Sequence, residues 1–279
     1  MKTDNVEFIK RVIEESNINK HLKEDLIYKL IDSFKCDFEK KEYPRTVENP
    51  LEVALKFYED YNNKYYEIIL NAINAKKIII NEKGKKSFAD TYNGETYISL
   101  LNNDNDIFLL VHEFAHYIDL YFSIIPTEYC FLCEVFSFYI EKKLEIWLDK
   151  NKFNELIQAR RCNRIYFESK MLEAIEYKMF CERLYKESGK LELNDLDANK
   201  ISFIKRYDYD LDIGLVNYLL RYPLANLLTE YLIKDCNLKK DEDIWKVCLD
   251  TNLYELLEKY DLKKILSFDD EINKFSLDI

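Results

Sequence analysis

The stretch FLLVHEFAHYIDLYF, residues 108–122, carries two of the three histidines in a chain of 279 residues. In HEFAH, His112 and His116 stand four residues apart. On a helix that is about one turn, about 6 Å along the axis, so both imidazoles leave one face. Two nitrogens so placed can reach a single Zn²⁺ at roughly 2.0–2.1 Å each. Glu113, beside the first imidazole, can hydrogen-bond a water held at such an ion and then act as general base. The ion would bring the pKa of that water down toward about 7. The remaining histidine, His21 in INKHLKED, reads as a solvated surface residue.

Zinc needs a third protein donor, and no histidine follows His116. That excludes the pattern H-E-x-x-H-x-x-G-x-x-H. A carboxylate from a following helix remains, with Asp119, Glu128, Glu134 and Glu141 as candidates. Glu134 interrupts the apolar run CFLCEVFSFYI, where an unpaired carboxylate would cost several kcal/mol and a metal partner would remove that penalty. It is the leading third ligand. Glu128 and Glu141 flank the run and are more easily solvated. Asp119 lies three residues past His116 and is better suited to accept a hydrogen bond from a ligand's ring.

These residues need helices to hold them, and the composition supplies helices. Only four glycines and four prolines occur, which disfavours tight β-turns. Hydrophobic residues at 48% and charged residues at 33% fit a folded globular chain. Helical periodicity runs through most of the first 75 residues, interrupted by a loop at KKEYPRTVENP, and LEVALKFYEDYNNKYYEIILNAI reads as one long helix. KKIIINEKGKKSFADTYNGETYISLL then shows β-branched runs and alternation typical of short strands. Residues 77–81 and 96–101 read either as a structural hairpin or as an edge that pairs with an extended substrate. NNDND, residues 102–106, supplies capping residues just ahead of the histidine helix. Helical patterns continue over 105–124, 128–149, 152–188, 196–206, 211–234 and, in pieces, 242–275. The fold class is mainly α, with residues 1–75 as an N-terminal helical region packed on a catalytic part at 76–279.

A net charge of −11 argues against a nucleic-acid partner, because phosphate binding needs a concentrated basic face. No run of apolar residues is long enough for a membrane span, and MKTDNVEFIK has no apolar leader core. Seven cysteines form no disulfide framework, and Cys130 and Cys133 sit in a helical run as packing residues. A cytoplasmic location with reduced thiols is expected.

The motif and its surroundings resemble the thimet oligopeptidase/oligoendopeptidase F family of gluzincin metallopeptidases. TYISLLNNDNDIFLLVHEFAHYIDLYFS is similar to the family's Tyr-Ile strand, polar turn and H-E-x-G-H helix, and CEVFSFYIEKKL resembles its A-E-V-A-S-x-F-x-E helix. The resemblance implies a zincin-like fold in a shortened form, peptide substrates, one Zn²⁺ and Glu134 as third ligand. Ala115 stands where the family usually has glycine, and Asp119 where it often has a further histidine. The family also steadies the oxyanion with tyrosines from a late segment. YDYDLDIGLVNYLLRYPLANLLTEYL is similar to that segment, which makes Tyr218 the leading candidate, followed by Tyr207, Tyr209 and Tyr222.

The expected activity is zinc-dependent peptide hydrolysis, with His112, His116 and Glu134 as ligands, Glu113 as base and Tyr218 as oxyanion donor. Competing readings are a zinc hydrolase of a non-peptide substrate, a decayed metal-holding helical binding protein, and a metal-free helical interaction protein. An intact Glu113 counts against decay, because ligation alone does not need it.

Overall fold

The computed structural model describes residues 2–15, 39–81, 88–92, 95–122, 132–192, 194, 196–206, 215–234, 237, 238 and 240–249. Nine helices and three strands lie among these residues. The expectation for His21 falls outside them.

α1 (Lys2–Glu15) contributes Phe8, Ile9 and Val12 to the core. α2 (Pro50–Tyr61) starts where Asn49 accepts from the backbone N–H of Leu51 and Glu52, with Pro50 in the first turn, where no amide is needed. The long helix expected over 51–73 is two helices. Asn62 adopts an extended backbone, closes α2 through its own N–H to Tyr58, and opens α3 (Asn63–Asn74) by accepting from Lys64 N–H. A short amide side chain that satisfies a helix end from outside favours the break over a continuous rod.

The sheet has the order β1-β3-β2, from β1 (Ile78–Asn81), β2 (Phe88–Tyr92) and β3 (Glu95–Ser99). β1 and β3 pair in parallel, Ile78 opposite Thr96, so the two strands read from sequence do not form a hairpin with each other. The antiparallel partner of β3 is β2, Phe88 opposite Ser99, a strand that the sequence pattern left unassigned. β3 is therefore central. Among the described residues the outer strands are β1 and β2.

The polar turn after β3 is built by its own carboxylates. Asp106 accepts from the N–H groups of Leu101 and Asn103 at 3.1 and 3.2 Å, and Asn103 caps Asn105 N–H at 3.0 Å. Asp104 is fully buried and turns to the segment before α2, accepting from Thr46 N–H and Oγ and from Val47 N–H. The helix that starts here, α4 (Asn105–Tyr121), carries the histidine motif.

α4 packs against α5 (Leu132–Lys150), and Phe108, Val111, Phe114 and Ala115 of the one and Val135, Phe136, Tyr139 and Ile140 of the other are all essentially buried in the core. Tyr58 donates its hydroxyl to the Val111 carbonyl at 2.8 Å and fastens α2 across α4. α6 (Asn154–Ser188) is 35 residues long and ends at Gly189, whose φ of +71° takes the left-handed turn that closes a helix at low cost. α7 (Ala198–Lys205) follows, capped by Asp197. α8 (Leu215–Lys234) lies along α5, where Thr229 donates to the Val135 carbonyl at 3.2 Å and Lys142 pairs with Glu230 at 2.5 Å. α9 (Asp241–Leu249) rests against α5 and the end of α4 through Trp245. The result is a mainly helical molecule with one small sheet, and its buried hydrophobic cluster draws on residues from both sides of position 75. No helix among the described residues is long and apolar enough to cross a membrane.

Candidate metal centre

α4 and α5 bring three donor atoms to one point. His112 Nε2 lies 3.1 Å from His116 Nε2 and 3.0 Å from Glu134 Oε2, and His116 Nε2 lies 3.4 Å from the same oxygen. Ligands about 2.05 Å from a tetrahedral centre stand about 3.3 Å apart, so the spacing fits a zinc-sized ion held by these three residues. Glu134 and His112 are buried, and His116 is half-buried. The fit rests on donor chemistry as well as distance, since two imidazoles and one carboxylate are a set that divalent zinc takes.

The ring nitrogens turned away from this point are also engaged. His112 Nδ1 lies 2.7 Å from Glu141 Oε1, and His116 Nδ1 lies 3.1 Å from Ser137 Oγ. Such contacts fix the ring orientation and direct Nε2 of each histidine to the shared point. Glu141 is fully buried and pairs with two guanidinium groups of α6, Arg160 at 3.0 Å and Arg164 in a closer contact. Arg160 also donates to Asn105 Oδ1 at 3.2 Å, joining α6 to the start of the motif helix. Glu134 has its own cation, because Arg221 Nε of α8 stands 3.2 Å from Oε1. That N–H is not aligned for a hydrogen bond, so the contact is one of charge.

The electrostatics follow from this crowding. Burial alone would raise Glu134 and Glu141. The two histidines with Arg221 hold Glu134 well below the usual carboxylate range, and the arginines with His112 hold Glu141 below it. Burial pulls His112 down, but its bonds to Glu134 and Glu141 outweigh that and push it up to about 10. His116 is likewise pulled down by burial and raised overall by Glu134. Two anions that favour protons on both rings equally favour a cation in their place.

Of the residues named from sequence, His112, His116 and Glu134 come together. Glu113 follows His112 on α4 and is half-buried. Asp119 accepts from Trp245 Nε1 at 3.0 Å, so its described hydrogen bond is to α9 and not to an imidazole. The second nitrogens of the two rings meet Glu141 and Ser137. Burial pushes Asp119 up to about 7. Glu128, Cys130, Tyr207 and Tyr209 lie outside the described residues, as do the side chains of Cys133 and Tyr218. Tyr222 is described. Its hydroxyl accepts from Arg221 Nη2 at 2.6 Å, and its ring meets Phe138, which in turn stands edge-on to His112. Sequence reasoning missed Arg160, Arg164 and Arg221, and it took Glu141 for a solvated flank. One indication was present: Glu134 and Ser137 within the apolar run and Glu141 just after it recur at helical spacing, a polar stripe along a buried helix.

Comparison with known proteins finds similarity to an oligoendopeptidase F homolog of Borreliella burgdorferi, 26% identical over 226 residues, which cover 78% of this chain. The match spans 31% of that protein's length. No family model matches, and no solved structure matches. The chain is thus distantly similar to a peptidase, and its largely buried His112, His116 and Glu134 form a group able to hold a metal ion.

Proposed function

We propose that the chain is a zinc-dependent metallopeptidase that hydrolyses peptide bonds of peptides or unfolded segments. The observation that carries this reading is the convergence of His112 Nε2, His116 Nε2 and Glu134 Oε2 within 3.4 Å of one another, with Glu113 adjacent on the same helix. The distant likeness to an oligoendopeptidase F homolog supports it.

His112, His116 and Glu134 would hold the ion. Bound there, zinc supplies a Lewis acid that lowers the pKa of water toward about 7 and polarises a carbonyl. The remaining work belongs to side chains of this chain. Glu141 and Ser137 orient the rings. Glu113 takes a proton from the attacking water and returns it to the leaving amine. A tyrosine of the 207–222 segment, with Tyr218 as first choice, donates to the oxyanion. Residues 76–279 carry the chemistry, residues 1–75 pack against them, and a cytoplasmic location suits the seven cysteines without a disulfide framework.

The test is Glu113→Gln. The variant is expected to keep zinc, one ion per chain, and to lose hydrolysis of a quenched peptide library. Turnover equal to wild type would assign the base elsewhere. A wild-type chain that binds zinc without cleaving any peptide would favour a metal-holding binding protein. In a parallel series, Glu134→Ala is expected to weaken zinc retention more than Glu128→Ala.

A further inference from the structure

Glu134 offers its two oxygens in different directions. Oε2 faces the imidazole nitrogens at 3.0 and 3.4 Å, while Oε1 faces the Arg221 guanidinium at 3.2 Å. Arg221 is itself held at its other end. Its Nη2 donates to the Tyr222 hydroxyl at 2.6 Å, and its guanidinium lies 4.6 Å over the Tyr222 ring. The side chain therefore spans from the ligand on α5 to its neighbour on α8, mostly shielded from solvent.

We propose that Arg221 is a positioning residue that limits Glu134 to ligation through one oxygen and so keeps a coordination place open. The inference rests on the metal-centre reading above and goes beyond it. A carboxylate with both oxygens unengaged can bind a divalent ion through both, which fills the place that water or a substrate carbonyl needs. A guanidinium beside Oε1 competes for that oxygen with charge of the same sign as the ion. It also draws negative charge off the ligand, so the site gives up metal affinity in exchange for an open position. Arg221 thus acts through Glu134 and touches no reacting atom. Loss of an ordinary supporting contact weakens metal binding. Loss of this one should strengthen it.

The experiment uses the full chain loaded with Co²⁺, because zinc has a filled d shell and no visible spectrum. Wild type, Arg221→Met and Arg221→Lys are compared by visible absorption, Co²⁺ affinity and peptide turnover, with far-UV circular dichroism as the folding control. Arg221→Met is expected to bind Co²⁺ several-fold more tightly, to lose visible-band intensity as coordination number rises, and to lose turnover. Arg221→Lys, which keeps the charge, is expected to move the spectrum back toward wild type. If Arg221→Met does not fold, Arg221→Gln carries the same comparison. An Arg221→Met spectrum and affinity equal to wild type, or weaker binding, would overturn the inference and leave the metal-centre reading standing. A wild-type chain that takes up neither Co²⁺ nor Zn²⁺ would remove both.

Discussion

Glu141→Gln is the most informative single change, because it leaves shape intact and removes one charge from a buried ion-pair cluster. Glu141 has no solvent exposure, lies 2.7 Å from His112 Nδ1, and pairs with Arg160 and Arg164. A glutamine there leaves two guanidinium groups without their shared counter-ion, and removing one partner of a buried pair costs about 3–5 kcal/mol. Arg160 retains some solvent contact, which places the expected loss near about 3 kcal/mol. A second effect is expected on metal binding at the proposed centre. Losing the carboxylate behind a ligating imidazole weakens metal affinity by about 10- to 100-fold.

The two effects separate by assay. Urea unfolding in the presence of chelator reads the first, and competitive zinc titration of the folded protein reads the second. The pH dependence supplies a sign. Glu141 is depressed in the folded state, so its contribution is fully present above the ordinary value of 4.5 and is lost as pH falls. The stability gap between wild type and Glu141→Gln should therefore narrow in acid. A loss under about 1 kcal/mol, within the range of ordinary substitutions, together with unchanged zinc affinity, would refute the reasoning.

Other outcomes follow from the same structure. Burial pushes Glu168 up to about 7, so the folded state holds its proton where the unfolded chain has released it, and stability falls as pH rises from 4.5 to about 7. Glu168→Gln should be near neutral at pH about 4 and more stable than wild type by roughly 3 kcal/mol above pH about 7, while a pH-independent difference in chemical denaturation would contradict the assignment. Asp104→Ala removes the acceptor of Thr46 and Val47 and should cost about 2–4 kcal/mol, with faster proteolysis within 39–49 as the local readout. Removal of zinc by chelation should lower Tm, since an ion at a thousand times its Kd stabilises the folded state by about 4 kcal/mol, and a Tm that ignores both zinc and chelator would argue against the centre.

The parts legible in the sequence were those written in local spacing. His112 and His116 are related by one helical turn, and Glu134 stands out as a carboxylate in an apolar run. Helix after helix followed from periodicity and from scarce glycine and proline. What the spacing did not carry was pairing between distant segments. Arg160 and Arg164 lie in a helix that the sequence pattern marks only as helical, and their meeting with Glu141 accounts for the burial of Arg164. The parallel pairing of β1 with β3, which skips β2 along the chain, was invisible for the same reason: register is set by partners, not by either strand alone. The break at Asn62 had a local cause, but a capping asparagine between two good helical runs gives a weaker pattern than the runs themselves.

α6 contains neither glycine nor proline across its 35 residues and so extends about 52 Å as one stiff rod. Near one end Asn163 exchanges hydrogen bonds with the backbone of Lys41, and toward the other the Tyr177 hydroxyl accepts from Asp197 N–H at the start of α7. Beside Asn163 stand Arg160 and Arg164, whose guanidinium groups neutralise Glu141. Tilting this helix from its far end would shift those charges relative to the carboxylate that meets His112, so the candidate metal centre shares a support with the distant start of α7.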